Sequence, residues 1–367
     1  GSIKLKHASG NGVIIAAPSS NPSSDKTINL PSEETGVFAT KDSANSLQNV
    51  TGLNGGQLGN RNLIINGAAQ VAARGTSSTI TTSEKYVVDR FFAANVISTA
   101  VQTGTQENDA PTGFYKSLKV TCTTADTDYS TNNQSKIEYR IEGTDIQRLN
   151  FGTANAKTLA VSFYVKSNKT GNSAIALVNN ANNRSFVHQF TIASANTWQR
   201  VSFTLAGDTS GNWPVESANI GMRIRWGTFG TDFQTGTLDA WQAGQKMATS
   251  NSPINFNAAT NDYLQITGVQ VEIGGVTDFE HRSFAQELAL CQRYFETGNG
   301  LLLAAYSGGA FGGGITLNEF AVTKRATPTI TITQGSGVGS QTASNVNTNT
   351  TYNVGVHWSG SATAGDY

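Results

Sequence analysis

The acidic and amide side chains of one polar loop form the first candidate site. Asp126 and Asp128 lie two residues apart, and Asn132 and Asn133 follow shortly after them. Carboxylate and amide oxygens are the ligands that Ca²⁺ prefers, so the two aspartates are candidate ligands of a structural calcium ion. No EF-hand pattern accompanies them, and the alternative is a polar turn without metal. We expect no other cofactor.

A pair of carboxylates is also the machinery of glycoside hydrolysis. A catalytic pair faces across a cleft, whereas Asp126 and Asp128 lie in one loop. The sequence also lacks nucleotide-binding, serine-elbow and zinc-protease patterns. We therefore expect no catalytic residues and no enzymatic activity.

Two arginines alternate with apolar residues along one predicted strand. Arg223 and Arg225 point to the face opposite Ile224. Two guanidinium groups on one face can bind a carboxylate or phosphate, such as that of a uronate, a sialate or a lipopolysaccharide, through paired hydrogen bonds. The alternative is a solvated face on which an acidic residue of the neighbouring strand balances both arginines.

Three aromatic residues lie in contexts that predict exposed rings. Trp213 lies in a turn-like segment, Trp241 lies outside any clear strand, and Tyr129 follows the polar loop. Exposed rings, with polar groups beside them, suit the binding of a sugar. The alternative is that each ring packs over the edge of the fold. We assign Trp226 and Trp198 to the core.

The cysteines and histidines predict neither disulfides nor a metal centre. Cys122 and Cys291 are far apart, and we expect two buried thiols. The four histidines have no metal-ligand spacing. His188 shares a strand face with apolar residues, so we expect a hydrogen-bonded core histidine.

The composition narrows the class of protein. The 367 residues include 25 Lys+Arg and 25 Asp+Glu, and charged residues make up 14%, against roughly 25% in ordinary domains. This balance excludes the basic excess of a general nucleic-acid binder and the charge excess of a disordered chain. No apolar run approaches the roughly 20 residues of a membrane span. No basic-then-apolar leader opens the sequence, so we expect neither membrane insertion nor a secretion signal.

Alternating strands predict an all-β fold for the middle of the chain. Residues 61–297 contain many short strands with period-2 alternation, separated by Gly- and Asn-rich turns. This pattern is typical of a β-sandwich or jelly roll. Gly268 shifts the alternation by one residue, which predicts a bulge. One short helix is predicted after Ser283, with Gln286 completing a capping box and an apolar stripe formed by Phe284, Leu288, Cys291 and Phe295.

The flanking segments predict small β modules. Residues 1–40 read as short strands and turns, too few to bury a core unaided. Residues 41–60 are polar and Gly/Asn-rich, which predicts a linker, and residues 298–367 are again rich in Gly, Thr and Asn. We expect an attachment module, a linker, a jelly roll and a small terminal β domain.

Several stretches of the middle domain resemble the jelly-roll domain of bacteriophage tail-fibre proteins. Its opening, its closing strand and helix, and two internal pieces all take part, and the Cys-Gln-Arg-Tyr-aromatic ending of the helix is the most specific. The matching stretches are residues 62–67 (NLIING), 74–76 (RGT), 88–91 (VDRF), 163–167 (FYVKS), 207–211 (GDTSG), 266–274 (ITGVQVEIG), 279–282 (FEHR) and 287–295 (ELALCQRYF). Residues 3–18 and 28–42 are similar to modules of cyanophage and marine-phage tail fibres, and residues 324–330 resemble the β segment that often follows such a jelly roll.

This resemblance implies a structural virion protein, a tail fibre or receptor-binding protein with a carbohydrate-binding-module-like domain. It implies attachment to phage tail or capsid proteins through residues 1–60, a homotrimer, and binding of host surface polysaccharide. The protein would assemble in the host cytoplasm and reside in the virion. A capsid-attached fibre or decoration protein, an exopolysaccharide depolymerase and a carbohydrate-binding module of a bacterial enzyme are the alternatives.

Overall fold

The computed structural model describes residues 59–297 and 319–329 in full, and elsewhere describes only the backbone of strands. These strands are Ser2–Lys6, Gly12–Ala16, Thr40–Lys41, Leu47–Gln48, Ile315–Glu319, Thr342–Asn349 and Asn353–Ser359. The chain divides into two compact units, Gly1–Val50 and Thr51–Tyr367. The predicted boundaries at residues 40, 60 and 297 stay predictions.

The first unit contains two small antiparallel pairs. Strand β1 (Ser2–Lys6) pairs with β2 (Gly12–Ala16), and β3 (Thr40–Lys41) pairs with β4 (Leu47–Gln48). The predicted linker therefore contains short strand pairing at its start.

Two antiparallel sheets make up the middle of the second unit. The first sheet has, in spatial order, β17 (Trp241–Ala243), β13 (Arg184–Ile192), β12 (Gly171–Asn179), β15 (Ile220–Phe229), β10 (Gln134–Glu142), β7 (Phe91–Val96) and β6 (Lys85–Val88). The second sheet has β14 (Gln199–Leu205), β11 (Leu159–Ser167), β19 (Tyr263–Ile273), β9 (Ser117–Thr124), β8 (Val101–Glu107) and β5 (Ser77–Ile80).

The inner faces of the two sheets enclose the main core. Phe163 of the second sheet meets Trp226 of the first at 5.7 Å between ring centroids, and it meets Phe190 at 5.4 Å. Both Phe163 and Trp226 are fully buried. Because alternate residues of each strand point inward, the residues between them point to the outer faces, where polar side chains can form binding sites. The predicted all-β jelly-roll sandwich is confirmed.

The outer face of the first sheet carries a smaller apolar cluster. The connection from β15 to β19, residues 230–262, lies over this cluster. Within that connection, β16 (Gln234–Thr235) pairs in parallel with β18 (Ala248–Thr249). Met247 and Ala248 pack there on Ala176 and Val178 of β12. The connection therefore covers β12 on this face and reaches Arg225 of β15 through Met247.

The predicted bulge lies in β19. Ser162 pairs with Gln270 but Tyr164 pairs with Thr267, so the register slips between them. Gly268 has a φ of +60°, and a Cβ there would lie 2.8 Å from the ring of Phe114. Only glycine fits such a position without strain.

The predicted helix forms, but part of its predicted apolar face is wrong. Helix α2 (Phe284–Gln292) begins with the capping box, in which Ser283 Oγ accepts from the Gln286 amide at 3.3 Å. Phe284, however, is 57% exposed, whereas Glu287 and Cys291 are buried. The reason is that the contacts with Ile65 and Val71 fall on the side of Cys291. A second helix, α1 (Gly143–Ile146), was not predicted. None of the helices in the described residues has the length and apolarity that a membrane crossing needs.

A set of polar contacts, which we name the clasp, joins the opening of the sandwich to its closing segment. The backbone amide of Asn62 donates to Glu280 at 2.8 Å, and that of Asn66 donates to Glu287 at 2.5 Å. Arg282 Nη1 donates to the Ile64 carbonyl at 2.9 Å. These residues belong to the stretches that carried the phage-fibre resemblance. The clasp consists of Asn62, Ile64, Asn66, Glu280, Arg282 and Glu287.

Two arginines of the opening segment reinforce the clasp by stacking on the end of the closing segment. The Arg90 guanidinium lies 3.5 Å from the ring centroid of Tyr294, and that of Arg74 lies 3.8 Å from that of Phe295. Tyr294 also donates to Glu142, on which Arg293 forms a bidentate ion pair. Tyr294 and Phe295, which follow the end of α2, therefore serve packing.

The last strands form a separate small sheet. Strand β22 (Asn353–Ser359) lies between β20 (Ile315–Glu319) and β21 (Thr342–Asn349), antiparallel to both.

Candidate functional site

The aromatic residues predicted to bind sugar are committed to packing. Trp213 is only 5% exposed, so its predicted exposure is wrong. Its ring lies 5.1 Å from Phe151 and 5.3 Å from Trp241 between centroids, and its Nε1 donates to Asp208 at 3.2 Å. Asp208 is in turn held by a bidentate ion pair with Arg184. The turn therefore folds back and places the indole over the end of the core.

Trp241 and Tyr129 are also used internally. Trp241 lies on the edge strand β17, contrary to its predicted place outside a strand, and donates to the Ala206 carbonyl at 2.8 Å. The Tyr129 hydroxyl accepts from Asn257 Nδ2 at 2.6 Å, and burial raises its pKa. The alternative of edge packing describes both tryptophans.

Asp126 of the acidic loop is held by donors of the β7–β8 connection and of its own loop. Asp126 Oδ2 accepts from Ser98 Oγ and from the Thr99 amide at 2.8 Å each, and Oδ1 accepts from the Asp128 amide at 3.0 Å. Partial burial opposes ionisation of Asp126, but these hydrogen bonds outweigh it and lower its pKa. The described residues contain no group of three His, Cys, Asp or Glu side chains suited to a metal. Both oxygens of Asp126 and Oδ1 of Asp128, on which the calcium prediction rests, thus accept protein donors.

The two predicted arginines meet a glutamate on the neighbouring strand. Arg223 and Arg225 share the outer face of the first sheet, as predicted, and Glu138 of β10 lies opposite Arg225. Arg225 Nε donates to Glu138 Oε2 at 2.7 Å, and Arg223 Nη1 donates to Oε1 at 2.8 Å. The alternative of an acid on the next strand is confirmed, but the group is largely buried rather than solvated: Arg225 is 2% exposed. We name Lys136, Glu138, Arg140, Arg223 and Arg225 the Glu138 cluster.

A candidate binding surface that the sequence did not predict lies on the outer face of the second sheet. Asp109, in the β8–β9 connection, accepts from Lys166 Nζ at 2.7 Å and from Trp198 Nε1 at 3.2 Å. Gln265 Nε2 reaches Asp109 Oδ2 at 3.3 Å from β19. Tyr164 stands on the same outward face of β11 as Lys166. We name Asp109, Tyr164, Lys166, Trp198 and Gln265 the Asp109 face.

The surface continues on both sides of these residues. Tyr263 Oη donates to Asn196 at 2.8 Å, with Lys119 Nζ 4.4 Å from its ring centroid. On the other side the Phe114 ring packs on Tyr164 at 5.4 Å. Aromatic rings, an ion pair and amides are therefore interleaved along one face.

The electrostatics of this face favour a charged Asp109. Partial burial opposes ionisation, but hydrogen bonds from Lys166 and Trp198 outweigh it and lower the pKa of the carboxyl. Tyr164, Lys166 and Trp198 are all partly exposed, and Asp109 is exposed. The face thus offers ring surface beside acceptors and donors, the combination that suits a polyhydroxylated ligand.

Part of the Asp109 face could have been predicted from the sequence. Alternation placed Tyr164 opposite the core residue Phe163, and an aromatic ring on an outward face was the available signal. Trp198 was wrongly assigned to the core. It immediately precedes β14, so strand alternation does not fix the direction of its ring.

Comparison with known proteins does not assign the chain to a family. No family model matches the chain, and a search of curated proteins finds no match. Among solved structures, the enzymatically active domain of bacteriophage CBA120 tailspike protein 4 is 11% identical with a TM-score of 0.31, covering 58% of this chain and 21% of that one. A CBM4 structure is 12% identical with a TM-score of 0.29, covering 57% and 97%. The family 11 carbohydrate-binding module from Clostridium thermocellum, in complex with a β-1,3-1,4-mixed-linked tetrasaccharide, is 11% identical with a TM-score of 0.27, covering 55% and 98%. At such values these likenesses carry no conclusion about function.

Proposed function

We propose that this chain is a non-enzymatic phage virion protein, a tail fibre or receptor-binding protein, whose sandwich binds host surface glycan through the Asp109 face. The Asp109 face is the observation that carries the glycan-binding part. The sequence resemblance supports the phage part.

The chemistry of the Asp109 face fits a sugar ring. The apolar side of a pyranose packs on an aromatic ring, and its hydroxyls exchange hydrogen bonds with carboxylate, ammonium and amide groups. Trp198 supplies the ring, and Asp109 and Lys166 supply the polar groups within one patch. Gln265 is buried and helps to hold Asp109 in place. Their mutual hydrogen bonds hold these groups in place before a ligand arrives, which lowers the entropy cost of binding.

The assembly follows from the proposed role. Individual glycan contacts on an open face are weak, and several copies per virion strengthen them by avidity. We propose a homotrimer that is attached to tail or capsid proteins through residues 1–60. Light scattering of the full chain is expected to report a trimer, and a stable monomer at micromolar concentration would contradict this assembly.

The binding test compares variants of one ring. Host polysaccharide is titrated with the full chain, and Trp198→Ala is expected to weaken binding about tenfold, equivalent to about 1.4 kcal/mol. Trp198→Phe keeps a ring but loses the hydrogen bond to Asp109, so its affinity is expected to lie between those of the wild type and Trp198→Ala. Phe284→Ala, which removes an exposed ring from α2, is the control and is expected to bind like the wild type.

Two outcomes would overturn the proposal. Wild-type affinity in Trp198→Ala, with an unchanged melting curve, would remove the Asp109 face as the binding surface. Release of new reducing ends from the polysaccharide would show that the protein is an enzyme.

A further inference from the structure

The Glu138 cluster carries more positive than negative charge. Lys136, Arg140, Arg223 and Arg225 all lie within 3.3 Å of Glu138 between charged atoms. Arg140 also contacts Glu84, the only further carboxylate paired with the cluster among the described residues. Four cations therefore face two carboxylates, which leaves two positive charges in excess.

This excess lies largely out of water. The side chain of Glu138 is inaccessible, that of Arg225 is 3% exposed and that of Lys136 is 10% exposed. Uncompensated charge in such surroundings is unfavourable, because it loses hydration without gaining a counter-ion. Burial, together with the charge of Arg225, lowers the pKa of Lys136 despite Glu138, and burial lowers the pKa of Arg225.

Hydrogen-bond donors of Arg223 are left over. Its Nε is buried and has no partner among the described atoms. Its Nη2 makes only a long contact of 3.4 Å with Asn180. Arg225 differs from Arg223, since its Nε donates to Glu138 at 2.7 Å and its Nη1 points at Met247 Sδ at 3.0 Å.

The cluster opens to solvent on the side of Arg140 and Arg223. Their side chains are 27% and 14% exposed, and Met247 of the connection that covers β12 contacts the more deeply buried Arg225. The Arg140 guanidinium lies 4.2 Å from the ring centroid of Phe92. Its Nε donates to Glu138 and its Nη2 to Glu84, which leaves Nη1 to face a ligand. Two guanidinium groups thus stand at one opening above a buried carboxylate that holds both in place.

We infer that the Glu138 cluster is a binding site for an oxyanion, a phosphate or a carboxylate group, which Arg140 and Arg223 bind at the outer face of the first sheet. Guanidinium groups bind both anions through paired hydrogen bonds. Glu138 is a positioning residue that orients the arginines and does not contact the ligand. The site lies on the opposite sheet from the Asp109 face, so it does not depend on the proposed function.

The test titrates the full chain with inorganic phosphate and, separately, with glucuronate, by calorimetry and by melting temperature. At least one anion is expected to bind saturably at one site per chain and to raise the melting temperature. Stronger binding of phosphate would identify a phosphate-bearing ligand, and stronger binding of glucuronate a uronate. Arg223→Gln is expected to weaken binding at least tenfold, while Arg223→Lys, which keeps the charge but not the paired geometry, is expected to be intermediate.

Two controls keep the outcome unambiguous. Arg200→Gln removes an exposed arginine from the second sheet and is expected to leave anion binding unchanged. If Arg223→Gln fails to fold, Arg140→Gln replaces it, because Arg140 is the more exposed of the pair. The inference would be overturned if neither phosphate nor glucuronate bound saturably. It would also be overturned if Arg200→Gln weakened anion binding as much as Arg223→Gln. Trp198→Ala is expected to retain anion binding, so failure of the proposed function is distinguishable from failure of this site.

Discussion

Glu138 shows how one buried carboxylate can organise a sheet face. It accepts from three arginines and one lysine, and its own side chain has no contact with water. Replacing such a group by an uncharged one removes the only counter-charge at the centre of the cluster, and stranded charges are far more costly than the pair is stabilising.

We predict that Glu138→Gln lowers the free energy of unfolding by about 3–5 kcal/mol at neutral pH. Burial opposes the charge of Glu138, but the surrounding cations outweigh it and hold its pKa far below its ordinary value. A lowered carboxyl pKa stabilises the fold above the unfolded-state value and loses this effect as the pH falls through the folded-state value. Urea unfolding of wild type and variant should therefore still differ at pH 4, and a difference that has vanished by pH 4 would contradict the shift.

At the residue scale, the sequence predicted which face of a strand a side chain points to better than it predicted which residues surround that side chain. Alternation gave the correct face for Arg223 and Arg225 because strand geometry alone sets it. The burial of Trp213 depends on Phe151 and Trp241, which a turn brings together from distant positions. The same holds for Trp198 and Asp109, which are 89 positions apart along the chain.

At the element scale, helix α2 combines a local signal with a remote one. Its first turn is set by Ser283 and Gln286, which lie three positions apart. Its buried side is set by Ile65 and Val71, far away along the chain. The capping box was therefore predictable, whereas the exposure of Phe284 was not.

We predict that Ser283→Ala lowers the free energy of unfolding by about 1 kcal/mol, since the Gln286 amide loses its acceptor. Ser283→Asp keeps an acceptor at the same position and should remain close to the wild type. Thermal unfolding followed by circular dichroism measures both variants. Equal losses in the alanine and aspartate variants would show that the cap does not contribute.

Strands and the bulge were predictable for the same reason as the cap. The phase slip at Gly268 is visible in the sequence, and the register shift opposite Ser162 and Tyr164 follows from it. The order of strands within each sheet was not predicted, because partners such as β10 and β15 lie far apart along the chain.

At the scale of the whole molecule, the clasp joins the opening segment of the sandwich to its closing segment. Glu287 is buried and accepts from the Asn66 amide, with Arg282 Nη1 3.4 Å away. The loss of this acceptor leaves a buried amide without a partner, which is more costly than an exposed hydrogen bond.

We predict that Glu287→Ala destabilises the second unit by about 2–3 kcal/mol, while its unfolding stays a single transition. Glu287→Gln retains an oxygen acceptor and should lose less. Denaturant unfolding followed by tryptophan fluorescence and circular dichroism measures the difference. Early fraying of α2, seen as two separate transitions, would contradict the cooperative role of the clasp.

The clasp also determines how the molecule carries tension. A pull applied at Asn60 and Thr297 first loads the contacts of residues 293–295 with Arg74, Arg90 and Glu142. It then reaches residues 62–66 and 280–287, the segments that the clasp joins. We expect these contacts to bear the load before the strands behind them do. In optical tweezers, Glu287→Ala is therefore expected to yield at a lower force than the wild type.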